Sequence, residues 1–97
     1  MDIPVTIASG TAFDADLGET GVMTIVFTTQ ANITYKTGTA LYFHAVITEG
    51  ANSQTVCFEL TGGANPYVAG EKSFTIANTK DFTDAATATG KVYYTAA

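Results

Sequence analysis

The chain has 97 residues, a net charge of −5, and 46% hydrophobic against only 13% charged residues, where soluble globular domains usually carry about 25% charged. That length makes one domain, residues 1–97, with an ordinary hydrophobic core. Its cations are Lys36, Lys72, Lys80 and Lys91, with no arginine, so it lacks the basic patch that phosphate groups require, and neither nucleic acid nor an anionic membrane is an expected partner.

The first four residues, Met1, Asp2, Ile3 and Pro4, show neither the basic region nor the apolar run of a signal peptide. With Met1 as the native start, synthesis and folding in the cytoplasm are expected. Ile3, Val5 and Ile7 alternate with Pro4 and Thr6, which predicts a strand, and Pro4 belongs at an edge or a strand beginning because it donates no ladder bond. Residues 9–21 read as a long loop punctuated by Gly10, Gly18 and Gly21, with room for a short helical turn. A second strand follows over 22–29, with Met23, Ile25 and Phe27 on one face. Ile33 and Tyr35 mark a short third strand before a turn at Lys36, Thr37 and Gly38.

The most informative stretch is 41–60, LYFHAVITEGANSQTVCFEL. Leu41, Phe43, Ala45 and Ile47 share one side of a pleated strand, and Val56, Phe58 and Leu60 alternate with polar residues on the next. Gly50 suits the first central position of a two-residue type II′ turn, where φ must be positive. Glu49 then faces Asn52, and the register follows: Ala45 with Val56, Phe43 with Phe58, Leu41 with Leu60 on the apolar face. The other face receives His44 opposite Cys57 and Tyr42 opposite Glu59.

Residues 61–66, with Gly62, Gly63 and Pro66, read as an exposed connection. Tyr67 and Val68 suggest a short strand, and 71–77 another with Phe74 and Ile76 inward. Residues 78–90 read mostly as loop, since Phe82 is their only large apolar side chain, and 91–95 close the domain as a strand that buries Val92. Threonine makes up roughly a fifth of the chain, and its branched Cβ favours strands over helices. The expected fold is therefore all-β: an antiparallel β-sandwich of immunoglobulin-like or jelly-roll type with about seven to eight short strands, or alternatively a small β-barrel.

Chemistry-bearing residues are few. Cys57 is the single cysteine, so no intramolecular disulfide can form. A histidine beside a thiol can lower its pKa, but His44 and Cys57 lack an orienting third group and an oxyanion turn, so no enzyme is expected. Two ligands with Glu59 nearby fall short of a zinc set. Asp14, Asp16 and Glu19 place carboxylates in a glycine-containing loop, yet lack the remaining ligands of a calcium loop, and no metal or cofactor is expected. The five tyrosines can pack, stack on sugars or meet a protein partner.

With few charges and neutral outward strand faces, the chain is suited to being covered by neighbours. The expected function is a non-enzymatic structural or assembly protein, by analogy a virion component such as a phage capsid decoration or tail subunit. It would then be made in the host cytoplasm and placed in the virion, with capsid or tail subunits, or copies of itself as a homo-oligomer, for partners. The alternative is a carbohydrate- or receptor-binding β module, with an extracellular location. The candidate partner surface is Tyr42, His44, Val46 and Tyr67.

Overall fold

The computed structural model describes residues 1–16, 21–60 and 64–97. Six strands form one antiparallel sheet: β1 (Asp2–Ile7), β2 (Val22–Thr29), β3 (Tyr42–Glu49), β4 (Asn52–Glu59), β5 (Gly70–Ala77) and β6 (Thr87–Tyr93), in the order β4-β3-β6-β1-β2-β5. The sheet curls into a half-barrel. β1 makes the bend, pairing with β6 from Asp2 to Val5 and with β2 through Thr6 and Ile7. The only helical element described is a 3-10 turn, Gly10–Ala12.

The β3–β4 hairpin has the register that its turn dictates, from Glu49 opposite Asn52 through Ala45 opposite Val56 and Phe43 opposite Phe58. Gly50 has φ +58° and, among the described residues, no non-glycine has a positive φ, so Ala51 follows with a negative one, as a type II′ turn requires. Phe43, Ala45 and Ile47 are fully buried, while Tyr42, His44 and Val46 stand half-buried on the outer side. The same alternation holds on β2, where Met23, Ile25 and Phe27 enter the core.

Four phenylalanines tie the two ends of the sheet together. Phe27 of β2 lies 4.4 Å from Phe43 of β3, Phe43 5.1 Å from Phe58 of β4, Phe58 5.0 Å from Phe74 of β5, and Phe74 5.8 Å from Phe27, centroid to centroid. The rings close a cycle, in stacked and tilted arrangements that aromatic quadrupoles favour. This cycle draws β4 and β5, the terminal strands of the sheet, towards each other without a ladder between them.

Several expected strands differ in the structure. The seven or eight strands expected of a sandwich are six, because Ile33, Tyr35 and Tyr67 make single bridges, Ile33 with Tyr67 and Tyr35 with Ala96, in place of ladders. The segment expected to be loop over 78–90 supplies the first half of β6, which lies between β3 and β1 in the middle of the sheet. Its small residues are required there. A Cβ on Gly90 would lie 2.5 Å from Ile7 Cδ1, 2.9 Å from the His44 carbonyl oxygen and 3.2 Å from Ala45 Cβ. The missing side chain at Gly90 therefore reflects space already filled by its neighbours.

Pro4 is accommodated inside the sheet by parity. Met1 and Tyr94 exchange hydrogen bonds in both directions, so the alternation of an antiparallel ladder places Pro4, opposite Lys91, at a position whose nitrogen points away from β6. β2 begins to pair with β1 only at Thr6. No ladder bond is lost.

Loops plug the curl at one end. Phe13, Phe82 and Ala86 are buried, and Ala15 and Phe82 exchange backbone bonds. The hairpin tip grips this plug: the Glu49 carboxylate accepts from the Thr83 hydroxyl and, at 2.7 Å, from the Thr83 N–H, and Asn52 donates to the Asp81 carbonyl at 2.9 Å. These two bonds, the hydroxyl contributing most, hold the Glu49 carboxyl below its usual range despite some opposing desolvation. A carboxyl whose folded pKa is lowered stabilises the fold above its unfolded pKa, and that contribution disappears as pH falls through the folded value. Glu49→Gln should accordingly flatten the fall in melting temperature on acidification from about pH 7 to about pH 3. An unchanged slope would show that the grip on Thr83 contributes nothing.

Candidate interaction face

Strands β4, β3, β6 and β1 present their outward residues in cross-strand rows. One row reads Glu59, Tyr42, Tyr93, Asp2; the next reads Cys57, His44, Lys91, Pro4; a third runs Thr55, Val46, Thr89; a fourth Ser53, Thr48, Thr87. Tyr42, His44 and Val46 therefore stand side by side at the centre of this face, as the period-two pattern places them.

Tyr67 lies elsewhere. It is 8% exposed, bonded through its backbone to Ile33, with Lys72 Nζ 5.0 Å from its ring centroid. Burial alone holds its phenol above the usual pKa. Tyr67 belongs to the core, and the tyrosine that joins Tyr42 on the outer face is Tyr93, whose ring stacks on it at 5.2 Å with an interplanar angle of 22°. That pairing comes from the β3–β6 ladder between distant segments, which no local pattern announces.

The stack is charged at both ends and sparsely in between. Lys91 reaches across to Asp2 at 3.0 Å, with its Nζ 5.9 Å from the Tyr93 centroid. Both partners are well exposed, so the pair contributes little to stability. The largest influence on Tyr93 is a hydrogen bond with the Cys57 thiol, which holds the phenol above its usual range. The Cys57 residue is exposed, and His44 sits opposite it on β3. Beside the stack lies a shallow depression of about 550 Å3, bounded by Thr39, Tyr42, Glu59, Tyr93 and Tyr94.

Asp14 and Asp16 are exposed, and Glu19 lies outside the described residues. Among the described residues no group of three or more His, Cys, Asp or Glu side chains is placed to hold a metal ion.

On its chemistry, this face can offer flat aromatic area, hydroxyls and a few edge charges. No protein-family model matches the chain, nor does any curated protein or solved structure.

Proposed function

We propose that this is a non-enzymatic assembly protein, a virion component such as a phage capsid decoration or tail subunit, whose outer face packs against neighbouring subunits. One observation carries the reading: over four adjacent strands the outward residues are mainly threonine, serine, valine and tyrosine, with charge confined to Asp2, Lys91 and Glu59 around the Tyr42–Tyr93 stack. Exposed neutral strands invite association, and proteins that remain alone usually guard them with charge. Tyrosine is also enriched where interfaces form, since its ring packs while its hydroxyl stays hydrogen-bonded. The virion setting is an argument by analogy with other small assembling β domains, and the neighbours are capsid or tail subunits or further copies of the chain.

The test is self-association or lattice binding followed by sedimentation. Val46→Lys with Thr89→Lys places two charges in the neutral row and should weaken assembly at least about tenfold, as unpaired charge in an interface does, with the fold intact because both positions face outward. A native chain that stays strictly monomeric and binds no capsid or tube would sink the reading. A second reading, carbohydrate binding, is favoured by the depression beside the tyrosine stack, where a sugar ring could lie on Tyr93 and hydrogen-bond to Glu59. Titration across a glycan panel separates the two, because a sugar would shift the Tyr93 ring signals saturably and silence would remove this option.

A further inference from the structure

The seam between β4 and β5 is the second feature that calls for a partner, and hydrogen-bond parity says what kind. The Leu60 N–H donates to the Leu41 carbonyl at 2.9 Å, so residues 60, 58, 56 and 54 point their backbone groups at β3, and Thr55, Cys57 and Glu59 point theirs outward into the seam. On the other side the Asn78 N–H donates to Gly21 at 3.0 Å. By the same alternation Glu71, Ser73, Thr75 and Ala77 turn their groups away from β2 and towards β4. Among the described residues, the backbone groups of Thr55, Cys57, Ser73 and Thr75 have no hydrogen-bond partner across the seam.

At one level the seam is already filled, and the filling is an amide. Gln54, 8% exposed, donates from Nε2 to the Ala77 carbonyl at 2.8 Å and accepts the Thr79 N–H at Oε1, 2.7 Å. A primary amide has the donor and acceptor of a peptide group. Gln54 thus does from a side chain what a strand backbone would do, and the unfilled levels beyond it, over 55–59 and 71–75, repeat the same demand.

We propose that this seam receives an extended polypeptide segment from another protein chain, which adds a seventh strand between β4 and β5. Five antiparallel pairings separate β4 from β5 in the sheet, so the two run in opposite directions, and a guest antiparallel to β4 lies parallel to β5. Its inward side chains must be small, because Phe58 and Phe74 meet beneath it at 5.0 Å. β6 shows how such a strand fits, with Ala88 and Gly90 on its inward side. A second copy's hairpin would bring its own neighbouring strands into β5, so the guest is a single free arm. This inference does not depend on the outer face being covered.

A displayed library of random short peptides, panned against the intact protein, tests it. Enriched peptides should carry alanine, glycine or serine at every second position, lack central proline, and shift the amide signals of Thr55, Cys57, Ser73 and Thr75. Thr55→Pro removes a donor that β3 does not use, so the hairpin ladder survives, and binding should weaken roughly tenfold. Thr75→Pro repeats the test from the facing strand should the first variant misfold. Failure to enrich peptides over the Thr55→Pro variant overturns the proposal. So do shifts confined to Tyr42, His44 and Tyr93, an outcome that leaves the assembly reading standing.

Discussion

Phe43→Ala is expected to destabilise the domain by about 3–5 kcal/mol, a fall of more than about 15 °C in melting temperature for a chain of this size. Phe43 is fully buried and touches two of the other three rings in the aromatic cycle, Phe27 at 4.4 Å and Phe58 at 5.1 Å. Its truncation leaves a void at the point where the β3–β4 side of the curl meets the β2–β5 side, and neither wall can collapse into it without breaking ladder bonds. Phe58→Ala should cost less, because Phe58 is only partly buried beside the seam. Chemical denaturation of both variants provides the check. A loss below about 1 kcal/mol for Phe43→Ala would mean that the ring cycle does not hold the curl together.

Gly90→Ala is expected to cost about 2–3 kcal/mol, the upper range for overpacking, although it exchanges one small residue for another. The added methyl meets three neighbours, and they differ in how far they can give. Ile7 Cδ1, at 2.5 Å, is the end of a flexible side chain and can rotate away; the His44 carbonyl at 2.9 Å belongs to the β3 backbone and cannot move without disturbing the β3–β6 ladder. Gly90→Val should prevent folding altogether. Pairing Gly90→Ala with Ile7→Val should recover part of the loss, and thermal melts of the single and double variants measure the coupling. A double variant no more stable than the single one would place the strain on β3, at the His44 carbonyl and Ala45 Cβ.

The contrast between these positions shows what the chain states openly. The hairpin was legible because a two-residue turn fixes parity, and parity fixes every pair from Glu49 and Asn52 outward; the apolar faces of β2, β3 and β5 follow from alternation alone. β6 was not legible, since its space is taken up by Ile7 and Ala45, which lie far away in sequence, and a strand that must be thin reads as a loop. The burial of Tyr67 is hidden from the sequence for a related reason. A single bridge to Ile33 carries no periodicity, so its burial depends on contacts that no window of sequence contains. The same limit applies to the outer face: Tyr42, His44 and Val46 were readable from β3, while Tyr93, Lys91 and Asp2 joined them through ladders to opposite ends of the chain.

Those ladders also determine the order in which entropy is lost during folding. The β3–β4 hairpin closes a turn of two residues, the shortest connection in the sheet, whereas Asp2 opposite Tyr93 encloses nearly the whole chain. Loop closure grows more costly with length, and non-local pairing is the slow part of β folding. β1 is also the strand that joins the two walls of the curl. Until it docks between β6 and β2, the walls remain two unconnected ribbons, each with half its apolar face in water. The kinetic barrier to this fold therefore sits on its first strand, although its strongest local signal lies forty residues further on.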